Sequence, residues 1–415
     1  MVTETPTQEL VPPVMSLAPV NPLEDLKNLG QLQNHLIQAA YLEMSTVPMY
    51  LYAMFSLETR GYSQWAPGMG AFRLIRSIVV EEMLHLSLVR NLLVAIGGRN
   101  RIKFYDKDFM PKYPSLMLHR WPELMLHLGP CTKKLVKDVF MEFELPKQDL
   151  TTLEAVPDGW YRTIGEFYEG VGKRLAALDQ STGGAIWELN EAKYQYVDAY
   201  WNKDGGGGPV LVHDLKSAQD AMKIIVEQGE GIDPKNPSVP IDPLKPTPGL
   251  DELPHYTKFK RIADGVEPLG FVYNLPTDPK TAEHYDPKTE PEAHSINNLF
   301  NAAYCYTMHM LDVIYDTSWE GMEANKQNHR YHLERTFISL MQGVLVTVAE
   351  TMVTSPLNIT TMIQEHAAPT FEFYQLPATG KKAHLIKLCE QAMHYFPKLG
   401  GDNSVLWLLN KMPDV

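Results

Sequence analysis

The chain has 415 residues, of which 44% are hydrophobic and 21% are charged. This composition is typical of a folded globular protein and excludes a disordered, collagen-like or disulfide-stapled chain. The formal net charge of −13 repels phosphate backbones, so we expect no nucleic-acid partner. The three cysteines, Cys131, Cys305 and Cys389, form no CxxC pair, which excludes a zinc finger and favours a reducing compartment, here the cytoplasm.

The N-terminal residues 1–25 are rich in Pro and Thr. They lack a basic stretch followed by an apolar core, so we predict a flexible arm rather than a secretory signal. No uninterrupted apolar run reaches the roughly 18 to 20 residues that a membrane span needs. We therefore expect no membrane association.

Helical periodicity dominates the rest of the chain, and strand signals are weak. Two long helical patterns, at 26–57 and 72–96, flank a turn rich in Gly and Pro, and the second ends at Gly97-Gly98, a common helix stop. After an irregular stretch, two shorter patterns follow at 132–145 and 160–178. Two antiparallel pairs with one long crossover between them are the ferritin-like arrangement of a four-helix bundle.

The second half of the chain continues in the same way. A fifth helical pattern covers 214–228, and a polar segment rich in Pro, 232–292, predicts a long loop. Further helices are predicted at 296–315, 331–354 and 382–395.

The predicted fold class is therefore all-α. We divide the chain into the arm (1–25), a metal-binding bundle with insertions (26–265), and a helical C-terminal region that packs on the bundle (266–415).

The second helical pattern carries the sharpest chemical signal. Glu82 and His85 lie in the middle of a helix face that is otherwise apolar. An unpaired carboxylate is costly to bury, and a metal ion would supply the missing counter-charge. Glu-x-x-His on an inward face is the pattern of di-iron and di-manganese sites. Glu81 points off this face, so we expect it to be a solvated surface charge.

The first helical pattern adds Glu43, the only carboxylate on its apolar face. Pro48 lacks an N–H and predicts a kink one turn after Glu43. Glu43 and Glu82 each lie about 20 residues from the turn, so a rise of 1.5 Å per residue brings them to the same height. The alternative is that these residues have only a structural role, with Glu bonded to a buried Arg, Lys or backbone group and His packed in the core. Three inward-facing candidate ligands at one level favour a metal site instead.

The second pair of helices is less decisive. Glu142 and Glu144 lie on different faces of the third pattern. Periodicity makes Glu166 exposed, whereas the hairpin geometry places it level with Glu144. There is no second ExxH, so another residue must supply any second imidazole. Three further candidates follow in the sequence, of which the first two are most simply an exposed helix end: Glu227, Glu230 and His255.

Seven segments, in the same order along the chain, resemble the ferritin-like family that includes the iminophenyl-pyruvate dimer synthases of bisindole biosynthesis. The arm and residues 232–250 are not part of the resemblance. The segments are LEMSTVPMYLY (42–52), VVEEMLHLSLVRNLLVAIGG (79–98), FMEFELP (140–146), TIGEFYEGV (163–171), IIVEQGEG (224–231), HYTKFKRIADG (255–265) and AAPTFEFY (367–374).

The resemblance implies that Glu43, Glu82 and His85 bind metal directly, with Glu82 as the bridging carboxylate. It favours Glu144 over Glu142, because the family pattern has Glu two residues before Pro. It also leaves open which of four candidates completes the site: Glu166, Glu227, Glu230 and His255.

The activity implied is that of a di-iron oxidoreductase of specialised metabolism, with manganese as the other candidate metal. The substrate would be a small molecule, such as an imine that an upstream amino-acid oxidase produces from an amino acid. An oligomeric protein is compatible with this activity. Tyr50 and Tyr168 are candidates for lining a substrate pocket, although such residues are more commonly plain core. The alternative is a metal-binding or scaffold protein without catalysis.

Overall fold

The computed structural model describes residues 28–58, 70–150, 155–197, 208–231, 253–320, 329–358 and 363–415. Three predicted features lie outside these residues. They are the N-terminal arm, the turn between the first two helices, and the Pro-rich stretch 232–252.

Two long helices form the first pair of the bundle, α1 (Leu29–Phe55) and α2 (Ala71–Ala95). They run antiparallel, so that the start of α1 lies beside the end of α2. The Gln33 side chain near the start of α1 donates there to the Ile96 carbonyl. The Asn28 side chain accepts from the Gln31 N–H and caps α1. The helix α1 continues through Pro48 as a single helix from Leu29 to Phe55.

The second pair differs from the prediction. It consists of α5 (Ile164–Thr182) and α6 (Leu215–Gly229), and these two helices also pack against α1 and α2 respectively. The predicted helix at 132–145 is a short composite of α3 (Lys133–Leu135), a π-helical turn (Val136–Phe140) and α4 (Met141–Phe143). Pro146 prevents its extension, and the composite packs on the helix α7 (His255–Ala263) instead of pairing with α5.

The helix α7 (His255–Ala263) lies within the predicted loop at 232–292, where the sequence analysis expected no helix. Its buried side chains recur at helical spacing, at His255, Lys258, Phe259 and Ile262. It packs against α2 and the π-helical turn, and thus closes the bundle on the side of Glu81.

The C-terminal region is helical as predicted. Its long helix α9 (Pro291–Asp316) packs against the helices that follow it. Asp312 on α9 accepts the N–H groups of Phe104 (2.8 Å) and Tyr105 (3.0 Å) from the crossover. The helices of this region are α8 (Thr281–His284), α9 (Pro291–Asp316), α10 (His329–Ile338), a π-helical stretch (Ser339–Leu345), α11 (Val346–Val353), α12 (Lys381–Met393) and α13 (Val405–Lys411).

Other regular structure in the described ranges is sparse. The strands β1 (Ser115–Leu116) and β2 (Met125–Leu126) form one antiparallel ladder that pairs Ser115 with Leu126. The 3₁₀ turns are Arg99–Arg101, Lys147–Asp149, Leu189–Tyr194 and Pro397–Gly400. The structure thus confirms the all-α fold class.

One helical stretch in the described part of the chain, His329–Val353, is long and apolar enough to cross a membrane by length and composition. Polar residues interrupt this stretch, so it contains no uninterrupted apolar run of the length that a membrane span needs. Half of its most apolar window, 50%, is buried inside the protein, and the stretch packs against α9 and α13. A core helix meets the same criterion, so this is weak evidence for a membrane span.

The start of α6 gives a stability prediction. The Asp214 side chain accepts the Ser217 N–H at 2.8 Å, and the Ser217 hydroxyl accepts the Asp214 N–H at 3.1 Å. Asp214→Ala should lower the free energy of unfolding by about 1 kcal/mol, because it leaves a helix N–H without its cap. The midpoint of urea unfolding measures this. Asp220→Ala is the control, since Asp220 makes only a surface pair with Lys216; equal midpoint shifts in the two variants would contradict the capping role.

Candidate metal centre

The two long helices bring Glu43, Glu82 and His85 together in the protein interior, at one level as the sequence predicts. His85 Nδ1 lies 3.5 Å from Glu43 Oε2 and 3.8 Å from Glu82 Oε2. All three side chains are buried. They make one half of a cluster of buried acidic and imidazole groups.

Glu144 and His255 form the other half. Glu144 directly follows α4, and His255 begins α7. His255 Nδ1 lies 2.9 Å from Glu82 Oε1 and 3.6 Å from Glu144 Oε1. Glu82 therefore presents a different oxygen to each half, Oε2 to His85 and Oε1 to His255. We call these five residues the Glu82 cluster: Glu43, Glu82, His85, Glu144 and His255.

Three hydroxyl groups fix the carboxylates of the Glu82 cluster. Tyr168 donates to Glu43 Oε1, Tyr50 to Glu144 Oε1 at 2.7 Å, and Thr46 to Glu82 Oε2 at 2.8 Å. Burial, reinforced by the neighbouring carboxylates, raises the pKa of both tyrosines well above 10, so they stay protonated donors. The two tyrosines thus orient carboxylates, and neither lines the cavity described below.

Each histidine ring also contacts an oxygen acceptor through Nε2, the ring nitrogen that faces away from the other cluster residues. Gln228 Oε1 lies 2.9 Å from Nε2 of His85. Glu81 Oε2 lies 3.0 Å from Nε2 of His255 and also accepts from Lys258 Nζ at 2.5 Å. The expectation that Glu81 is a solvated charge is wrong: it is 1% exposed, because α7 covers that side of α2 and supplies Lys258 as its counter-charge.

The electrostatics of the cluster depend on burial. Burial raises the pKa of Glu82 to about 7, and the charge of Glu144 adds to this rise. Burial alone would also raise the pKa of Glu144, but the attraction of His255 and the hydrogen bond from Tyr50 lower it. Burial opposes the charged form of His255, yet Glu144, Glu81 and Glu82 raise its pKa well above 6.5. The raised pKa of Glu82 means that the protein's own groups do not fully offset its buried charge, which a bound cation would do.

The donor set fits metal ions. His255 Nδ1 is buried and makes no hydrogen bond of good geometry with any residue in the described ranges, although a carboxylate oxygen lies 2.9 Å away. Glu82, His85 and His255 can each offer one ligand atom within 4.8 Å of the others. Three carboxylates and two imidazoles match the oxygen and nitrogen ligands of iron and manganese in carboxylate-bridged sites.

A small cavity of about 10 Å³ opens beside the cluster, enough for about one water-sized particle. Its polar wall consists of Glu43, Glu82, His85, Glu144 and Glu230, and its apolar wall includes Leu42, Phe143, Ile164, Ile225 and Val226.

The remaining candidates differ in position. Glu230 lines the cavity, but its carboxylate accepts the N–H groups of Gly165 and, at 3.4 Å, Lys147. Burial raises the pKa of Glu230 to about 7. Glu166 and Glu227 lie away from the cluster, the first in an ion pair with Arg162 at 2.6 Å and the second exposed, 3.4 Å from Lys223.

Comparison with models of known protein families identifies the family of this chain. A family model described as ferritin-like matches residues 36–264, more than half of the chain, and the chain therefore belongs to the ferritin-like family. This confirms the predicted family and its fold.

The chain is similar to dichlorochromopyrrolate synthase from Lentzea aerocolonigenes, with 24% identity over 398 residues. The match covers 83% of this chain and 36% of the relative, so the chain spans about a third of that relative's length. A ferritin-like protein from Caulobacter vibrioides has a crystal structure that matches with a TM-score of 0.47 and 20% identity, over 75% of this chain and 95% of that chain.

Glu82 gives a prediction on pH. Its pKa in the folded protein is raised from 4.5 to about 7, so the folded form keeps a proton that the unfolded form loses. Ionisation of Glu82 therefore costs stability as pH rises through this window. In metal-free protein, Glu82→Gln should raise the melting temperature at pH 7.5 and give a smaller difference at pH 4.5.

Calorimetry in the presence of a chelator measures this difference. Glu227→Gln is the matched control and should follow the wild type at every pH, since Glu227 is exposed. Parallel pH profiles for Glu82→Gln and the wild type would contradict the raised pKa.

Proposed function

We propose that this protein is a di-metal oxidoreductase, with iron as the first candidate metal and manganese as the second. The observation that carries the proposal is the position of Glu82, which directs one oxygen to each of two histidines. A carboxylate between two imidazole-containing halves is the arrangement that a bridged pair of metals requires.

Five residues would hold the metals. Glu43 and His85 would serve one ion, Glu144 and His255 the other, and Glu82 both. A bound pair of redox-active metals supplies a route for electrons from a substrate to O₂ or peroxide.

The protein's own residues prepare the site for this chemistry. The hydroxyls of Tyr50, Thr46 and Tyr168 hold the carboxylates in place, which lowers the cost of ordering them when a ligand binds. The apolar wall of the cavity excludes bulk water and strengthens electrostatic interactions inside. Glu230, at the cavity edge, can hold a proton on its carboxyl group near neutral pH.

The reaction that we propose is the oxidative joining of two imines derived from amino acids. Forming one C–C bond between them, as their enamine tautomers, removes two hydrogen atoms, which amount to two electrons and two protons. O₂ would take up both and leave as hydrogen peroxide, or peroxide would take them up and leave as water. The similarity to dichlorochromopyrrolate synthase supports a biosynthetic reaction.

Such imines hydrolyse in water, so the proposal includes an upstream amino-acid oxidase as their source. It also retains the expected cytoplasmic location. Because the cavity of about 10 Å³ cannot hold a pair of imines, its walls must open for the substrate. This small volume favours a second candidate function, metal binding without catalysis.

Metal content tests the proposed site. Protein isolated from iron-supplemented cells should hold about two irons per chain by mass spectrometry. Glu82→Ala and His85→Ala should lose most of this iron without loss of helicity, because each removes a ligand from the Glu82 cluster. Glu227→Ala is the control and should keep the wild-type content.

Oxygen uptake distinguishes the two candidate functions. An amino-acid oxidase would generate imine in the presence of the iron-loaded protein, with catalase in one assay so that only O₂ serves as oxidant, and without catalase in a second so that peroxide is available. A dimeric product in wild type, absent in His85→Ala, is expected of the oxidoreductase, with extra O₂ uptake if O₂ is the oxidant. Iron content near two without a dimeric product in either assay would leave metal binding alone, and a wild type that takes up no metal after anaerobic Fe(II) loading would refute both candidates.

A further inference from the structure

The two histidines of the Glu82 cluster are backed by different partners. We propose that the two metal positions are therefore unequal: the ion at His255 binds more tightly than the ion at His85, because Glu81, paired with Lys258, positions His255 and makes it the stronger donor. This inference rests on the proposed function, since it concerns the same metals.

The geometry of the two rings is otherwise alike. In each, Nδ1 faces the carboxylates of the cluster and Nε2 faces away. The rings stack with centroids 5.3 Å apart and an interplanar angle of 28°. The difference lies in the acceptor on Nε2, which is an amide oxygen of Gln228 for His85 and a carboxylate oxygen of Glu81 for His255. Both acceptors hold the proton on Nε2, so Nδ1 is the nitrogen through which each ring would bind a metal, with release of any proton that it carries.

The charge of the acceptor sets the strength of the ligand. A carboxylate draws on the Nε2 proton and raises the basicity of the opposite ring nitrogen, whereas a neutral amide orients the ring with less effect on its basicity. Residues of this kind behind a ligand histidine typically change metal affinity by about 10- to 100-fold. The ion beside His255 should therefore be the last to leave under a chelator.

Lys258 makes the carboxylate of Glu81 tolerable in the interior. Both side chains are buried, with exposures of 0% for Lys258 and 1% for Glu81, and a buried charge without a partner is strongly destabilising. The same oxygen, Oε2, accepts from Lys258 and lies against His255. If the Glu81–Lys258 ion pair had only a structural role, Glu81 Oε2 would not also need to contact the His255 ring, which is directed at the cluster.

The sequence places these groups so that they act together. Glu81 directly precedes Glu82 on α2, and Lys258 follows His255 by one turn on α7. The ion pair thus joins the two helices at the point where each contributes a ligand. Any shift of α7 along α2 would move His255 Nδ1 away from Glu82.

Titration of the metal-free full chain with Co(II) tests the inference without reference to activity. The visible absorption bands of Co(II) report on its ligands, and binding in the wild type should show two steps of different affinity. Glu81→Gln removes the charge of Glu81 and breaks its ion pair with Lys258, so the double variant Glu81→Gln/Lys258→Met removes both charges together. It should weaken the tighter step by about 10- to 100-fold and shift the bands of that step.

Two further variants serve as comparisons. Gln228→Leu should change only the weaker step, because it removes the partner of His85. Glu81→Asp keeps a carboxylate and should restore at least part of the tighter step. Circular dichroism checks that each variant is folded, and if the double variant fails to fold, Glu81→Gln against Glu81→Asp decides the question.

The outcomes separate this inference from the proposed function. Two ions that bind with equal affinity in the wild type, or a loss shared equally by both steps in the Glu81 variants, would overturn the inference and leave a di-metal site. A wild type that binds neither Co(II) nor Fe(II) would refute the proposed function itself.

Discussion

The structure around the bundle centre depends on the burial of three carboxylates, those of Glu43, Glu82 and Glu144, about two imidazole rings. Such a concentration of negative charge away from water is unfavourable unless hydrogen bonds and positive charge offset it. Buried hydroxyls supply the hydrogen bonds, and the histidines supply part of the charge. The raised pKa of Glu82, about 7, shows that the compensation by protein groups alone is incomplete, and a pair of metal ions would complete it.

This requirement explains why the fold departs from a plain four-helix bundle. The helices α1 and α2 provide Glu43, Glu82 and His85, but the second bundle pair contributes no member of the Glu82 cluster. Its contributions are Tyr168 and Gln228, which hydrogen-bond to Glu43 and His85. Glu144 and His255 come from short elements, at the end of α4 and the start of α7, that pack beside the bundle. The packing of α7 on α2, and of α4 on α7, thus brings the second half of the cluster to the first.

The sequence predicted the first half of the cluster because one physical rule covers it. A polar pair in an apolar helix stripe, and matched distances from a turn, locate Glu43, Glu82 and His85 without knowledge of the rest. The second half is beyond such reasoning, since the placement of α4 and α7 depends on contacts distant in sequence. Glu81 was misjudged for the same reason: periodicity describes α2 alone, whereas α7 determines what covers it. The available signal was Lys258, a cation one turn after His255 among the apolar residues Phe259 and Ile262.

Anomalous X-ray diffraction at the iron absorption edge, on crystals of the Fe(II)-loaded protein, tests the central claim most directly. The account predicts two anomalous peaks, one bound by Glu43 and His85 and the other by Glu144 and His255, with Glu82 bridging them. A single peak, or peaks outside the Glu82 cluster, would contradict it.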